Sequence, residues 1–246
     1  MEFVLHLREL SQGKPIGFKL CVGRRSEFMA VCKAMVETGI TPDFITVDGG
    51  EGGTGAAPPE YSNSVGTPLR DGLAFVIDAL VGFDLKKDIR VAASGKIFSG
   101  FHIVRALCLG ADLTYSARGM MLALGCIQAL ECNKNNCPTG ITTHKPGLTA
   151  GLVVSDKRDR VEAFHGETVK AVCELMAAAG YDSIVELNRT LIYRRVSMEN
   201  SARLDEIFPM LERGCLLNGS APENLQRPLS EASSSSFHPS STLQFA

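Results

Sequence analysis

The sequence predicts an α/β fold with a parallel sheet, and two observations carry that prediction. Short apolar runs that end in glycine or turn residues alternate with segments of helical period, the order expected of βα units. The runs are near-continuously apolar, as strands sandwiched between covered surfaces are, whereas one-sided antiparallel strands alternate. A third observation sets the scale: 246 residues, 45% of them apolar and 21% charged, are enough for one sizeable core.

Strands are expected at Ile16 to Val22, Phe44 to Val47, Ile89 to Ala93 and Asp112 to Ser116. The helices between them carry start and stop signals. Ser26 precedes Glu27 to Thr38, with Gly39 after it; Thr67 and Pro68 precede Leu69 to Val81; Ser99 and Gly100 precede Phe101 to Leu109, with Gly110 after it. An eight-unit barrel needs about 250 residues, and here four units already occupy Ile16 to about Leu130. Half a barrel follows, with residues 1–150 as the partial barrel and 151–219 as a helical extension built on Arg158 to Met176 and short helices in Ser183 to Leu211. The last stretch, 220–246, holds eight Ser and three Pro in 27 residues and is expected to be a disordered tail. A lone half-barrel is expected to leave Phe18, Leu20, Ile45, Val47 and Val91 facing an interior with no opposing strands, which favours a homo-oligomer or a complementing polypeptide.

Charge and cysteine usage narrow the function classes. The 25 basic and 27 acidic side chains leave a net charge of −2, too little to draw the chain to nucleic acid or to an anionic membrane. Met1 to Leu10 lacks the basic start and apolar run of a secretory signal, and Asp78 interrupts the longest apolar run, Leu73 to Phe83; a cytoplasmic protein is expected. Eight cysteines in such a chain are read for metal or redox chemistry rather than for disulfides.

Four places carry candidate chemistry. After the second strand, Asp48-Gly49-Gly50-Glu51-Gly52-Gly53-Thr54-Gly55-Ala56 puts five glycines in seven residues where barrel active sites lie. The third and fourth strands end in Ser94-Gly95-Lys96 and Ala117-Arg118-Gly119, each opening a helix, so backbone N–H groups and two cations can meet one phosphate. Barrels bind phosphate after strands seven and eight, which makes these units the C-terminal half of a (βα)8 TIM barrel. Lys19 lies inside an apolar strand, where desolvation requires an anion or a ligand. Cys126, Cys132 and Cys137, spaced C-x5-C-x4-C with Pro138 following, can wrap an iron–sulfur cluster, although three buried thiols would read the same way.

Taken together, Asp48-Gly49-Gly50 with Gly53-Thr54-Gly55-Ala56, Ser94-Gly95 with Ser99-Gly100, and Leu124-Gly125-Cys126 through Cys137-Pro138-Thr139-Gly140 resemble the FMN-binding synthase domain of glutamate synthase and shorter glutamate synthase-like proteins. The resemblance implies a barrel with FMN at its C-terminal face and a nearby three-iron, four-sulfur (3Fe-4S) cluster. It also implies an oxidoreductase that makes L-glutamate from 2-oxoglutarate and ammonia through the imine. Carried over by position, Lys19 lies near the flavin pyrimidine and the substrate, with Asp48 beside it as the second catalytic candidate. Gly49, Gly50, Gly52, Gly53 and Thr54 wall the flavin. Ser94, Gly95, Lys96, Ala117, Arg118 and Gly119 take its phosphate, and Cys126, Cys132 and Cys137 ligate the cluster. The chain departs from the family at Ser94-Gly95-Lys96 and Ala117-Arg118-Gly119, where family members often read Asp-Gly-Gly and Gly-Thr-Gly. Two other readings remain open: a truncated or split, non-catalytic half-barrel, and another FMN barrel enzyme with a different substrate.

Overall fold

The computed structural model describes residues 1–52, 57, 58 and 60–238. Its centre is a four-stranded parallel sheet: β1 (Gly17–Cys21), β2 (Phe44–Asp48), β3 (Arg90–Ser94) and β4 (Leu113–Tyr115), in the spatial order β1-β2-β3-β4. Spatial order that follows chain order is the arrangement of a barrel wall; a doubly wound sheet reverses direction at a switch point. Helices α1 (Glu2–Leu10), α2 (Arg25–Thr38), α3 (Leu69–Gly82) and α4 (Gly100–Cys108) precede and alternate with the strands. Helix α1 is not among the expected helices, and α2 starts at Arg25 with Arg24 as its cap, ahead of Ser26; the other signals act as expected. Gly39 takes the left-handed conformation that stops α2, with φ of 68°, and the Ser99 hydroxyl accepts the His102 backbone N–H at the start of α4.

Register decides which strand residues share a face. Phe18, Ile45 and Val91 lie side by side, as do Leu20, Val47 and Ala93, while Lys19, Thr46, Ala92 and Leu113 form the row on the opposite face. Ile45, Val47, Val91 and Ala93 are fully buried and belong to one core with Phe28 of α2 and Leu73, Val76 and Leu80 of α3. The expectation that Phe18, Leu20, Ile45, Val47 and Val91 line an uncovered barrel interior is therefore corrected. They point at the helices, and the open face carries Lys19, Cys21, Leu113 and Tyr115, all exposed on the edge strands, with Thr46 and Ala92 buried between them on the central strands. One residue of offset inverts the two faces, because side chains alternate with a period of two.

Beyond the sheet, α5 (Arg118–Ala123) and α6 (Pro146–Thr149) bracket the cysteine segment, and α7 (Val154–Ala178) packs along α4 and α5. Gly100 permits this: a Cβ there would lie 2.8 Å from the Ala171 methyl. Two short 3-10 turns, Ile184–Glu186 and Arg189–Leu191, lead into an antiparallel hairpin, β5 (Tyr193–Arg195) with β6 (Ser201–Arg203), and then α8 (Leu204–Ile207). The hairpin replaces part of what the sequence predicts as short helices. Arg189 fastens this extension to the barrel, with Nη2 2.7 Å and Nη1 3.2 Å from the Asp78 carboxylate and Nη1 donating to the Phe208 carbonyl at 2.7 Å.

The stretch expected to be disordered from Ser220 differs from that expectation as far as residue 238. It carries α9 (Glu223–Glu231), which packs on α2 with Leu225 buried. Lys33 of α2 donates to the Leu229 and Ala232 carbonyls, both at 2.8 Å, and so satisfies acceptors left open at the C-terminal end of α9. Residues 239–246 lie outside the described residues.

Candidate functional site

The C-terminal ends of the strands bring the functional candidates together. Across the sheet, Cys21, Asp48, Ser94 and Tyr115 form the last paired row, on the open face. Lys19 stands one step back on that face, and its Nζ lies 2.8 Å from Asp48 Oδ2. The pair is a diagonal neighbour contact on one sheet face. The Lys19 side chain is 64% exposed, so the desolvation argument for it does not hold here. What distinguishes this lysine is its place on the open face.

The turns after β3 and β4 are tied to one another: the Ser116 hydroxyl donates to the Ile97 carbonyl at 2.7 Å. Ser94, Gly95, Lys96, Ala117 and Arg118 thereby share a cleft of about 240 Å³ with Lys19, Asp48 and Gly52. Lys96, itself left-handed with φ of 47°, donates from Nζ to Asn63 Oδ1 at 2.8 Å. Gly119 is buried beneath the second turn, against Phe98. Three cations and one carboxylate line this cleft, a charge balance suited to an anion. Gly50 is buried under the Gly66 carbonyl, and Gly53 and Thr54 lie outside the described residues.

Sequence reasoning passed over Glu51. Its Oε1 accepts the Leu69 backbone N–H at 2.9 Å, at the first turn of α3, where a carboxylate is stabilised by the open donors and the helix dipole. Its Oε2 is buried without a hydrogen-bond partner among the described residues. That oxygen fills the space a Cβ on Gly49 would need and lies 3.2 Å from where one on Gly95 would stand; Gly95 also has φ of +152°. Two of the site's glycines are accounted for by this carboxylate as much as by a ligand. A glutamate in a glycine run ahead of a Thr-Pro helix start was the available signal.

The three cysteines are not gathered. Cys126 and Cys132 line the cleft, while Cys137 is buried apart from it, its Sγ 3.3 Å from Thr139 Oγ1. Hydrogen bonds with the Thr139 hydroxyl and the Thr142 backbone bring the Cys137 thiol down to about 6. Among the described residues, no group of three His, Cys, Asp or Glu side chains is placed to hold a metal ion. The expectation of three converging thiolates is not met by this arrangement: all three lie beyond the end of α5, in a segment with left-handed Gln128, Leu130 and Asn135. Three non-glycine residues in that region make a strained loop.

Residues 1–182 match the conserved region in glutamate synthase. The glutamate synthase large subunit-like protein YerD of Bacillus subtilis (strain 168) is 39% identical over 196 residues, which is 79% of this chain and 37% of that protein. The archaeal glutamate synthase [NADPH] of Methanocaldococcus jannaschii is 32% identical over 187 residues, 76% of this chain and 36% of that protein. The chain thus spans a little over a third of the length of these relatives. With a conserved region that covers most of its length, the chain belongs to the glutamate synthase family.

Proposed function

We propose that this chain supplies the FMN-binding half of a glutamate synthase-type oxidoreductase, which reduces the imine formed from 2-oxoglutarate and ammonia to L-glutamate. The observation that carries the reading is the single cleft in which the Lys19–Asp48 pair meets the two strand-end turns, within the segment that matches the family. The residues present suit the cofactor: Lys96 and Arg118 supply cations beside small-residue turns for a phosphate, and Gly52 borders the same cleft without a side chain to obstruct it. Bound FMN would supply the hydride. Lys19 would hold a positive charge against the ring, and Asp48 would keep that ammonium in place. As they stand, the cysteines do not fit a 3Fe-4S cluster, and no step is assigned to one. The remaining barrel strands belong to a segment that the longer relatives have room for, either in one polypeptide or in a partner.

Titration of the protein with FMN, followed by quenching of flavin fluorescence, tests the reading. Saturable binding that yields blue and near-ultraviolet absorbance is expected, as is glutamate formation from 2-oxoglutarate, ammonia and a reduced flavin donor once the barrel is completed. A completed barrel that binds no flavin would overturn it, and a half-barrel role without catalysis would take its place. Anaerobic reconstitution with iron and sulfide, on the wild type and on Cys132→Ser, decides the cluster separately: uptake that requires Cys132 supports it, and no uptake removes it.

A further inference from the structure

A second cleft, on the opposite side of the sheet from the Lys19 site, lies where α2 and α3 meet the C-terminal extension. It holds about 410 Å³, within the usual range of small-molecule sites. Its apolar walls come from Phe75 of α3, from Phe208 after α8 and from Leu225 of α9, with Phe75 and Leu225 buried. Three polar side chains line the same space from three elements: Arg25 at the start of α2, Asp71 in the first turn of α3 and Asn224 in α9.

These three are uncommitted. Neither Asp71 nor Asn224 makes a side-chain hydrogen bond or ion pair among the described residues, and Arg25 is engaged only through the Phe75 ring, its Cζ 5.4 Å from the centroid. A guanidinium laid over an aromatic face keeps its N–H edges free and loses less entropy on gripping a carboxylate in two places. Asp78, deeper in the cleft, is different: both of its oxygens are taken by Arg189. Among the described residues, the cleft therefore offers one free cation, one free carboxylate and one free amide beside an apolar floor.

We propose that this cleft binds a free α-amino acid with an apolar side chain. Arg25 takes its carboxylate, Asp71 its ammonium, and Phe75, Phe208 and Leu225 its side chain, while Asn224 can serve either charged group. A simple anion would leave Asp71 facing it, and a simple cation would leave Arg25 facing it; the zwitterion satisfies both. Because α2, α3, α8 and α9 all contribute, occupancy would hold the extension against the barrel helices.

Isothermal calorimetry on the full chain with L-leucine tests this, with 4-methylpentanoate and 3-methylbutylamine as analogues lacking one charge each. Expected is saturable binding of L-leucine, one per chain, with neither analogue competing at equal concentration. Asp71→Asn and Arg25→Gln should each weaken binding about tenfold or more, as loss of a charge-assisted hydrogen bond does, and Asn224→Ala, at an exposed site, should weaken it less. Absence of L-leucine binding at millimolar concentration overturns the proposal, and so does equal binding of either analogue or wild-type affinity in both charge variants. Circular dichroism identifies a variant that fails to fold, in which case the other two decide. FMN binding is measured in parallel and reports on the Lys19 cleft alone, so failure of one site is distinguishable from failure of the other.

Discussion

The two faces of the sheet have opposite chemistry. On the helix side, Ile45, Val47 and Val91 are each 0% exposed; on the other side Thr46 and Ala92 of the central strands are also buried, while Leu113 and Tyr115 of edge strand β4 are 54% and 46% exposed, and the polar residues Lys19, Asp48 and Ser94 share that surface. The larger apolar layer lies on the helix face, and the candidate chemistry lies on the other. A half-barrel so arranged has buried its main apolar layer without its missing strands. The cost of standing alone then falls on open strand edges and a few exposed side chains rather than on a stripped core.

The largest break in this comparison is expected deep on the helix side. Asp78→Ala leaves the Arg189 guanidinium buried without its carboxylate, and urea unfolding should register a loss of about 3–5 kcal/mol. Close behind, Ile45→Ala removes a fully buried side chain and should cost about 3 kcal/mol, whereas Leu113→Ser on the open face should stay within about 0.5 kcal/mol. Equal effects for Ile45→Ala and Leu113→Ser would mean that both faces are covered in solution, as in a closed assembly.

On the open side, Arg118→Ala should weaken FMN binding by about 1–3 kcal/mol, the range for a charge-assisted hydrogen bond. Unchanged flavin affinity removes Arg118 from the site.

The smallest effect lies at the base of the sheet. The Ile16 backbone N–H, and then the Arg8 guanidinium, hold the Asp43 carboxyl below its ordinary value. A depressed carboxyl contributes stability above its unfolded pKa of about 4 and loses it as pH falls through the folded value. Thermal melts from about pH 6 to about pH 3 should therefore decline less steeply for Asp43→Asn than for the wild type; coincident slopes would mean that the contact does not persist in solution.

Much of this molecule was legible before its folding was known. Ser99, Gly39 and Pro68 bound their helices because caps act within one turn, and the strands are short apolar runs whose character does not depend on distant partners. The cluster of Lys19, Asp48, Ser94, Gly95 and Arg118 followed from knowing that strand ends meet at one rim. Glu51 was not legible, since its value depends on a helix start 18 positions away. Nor was the separation of Cys137 from Cys126 and Cys132, since spacing sets the reach of a loop and not its path.

What the sequence determined by itself was everything set by local period: four strands, the helices between them, and the family motifs at the strand ends. Only the tertiary structure decided which face of the strands the helices cover. It alone docked residues 220–238, through a lysine 196 and 199 positions from its two acceptors. The physical reason is the same in both cases: alternation along a strand and polarity along a tail say which residues travel together, but burial is a property of the surface they meet, and that surface is assembled from remote parts of the chain.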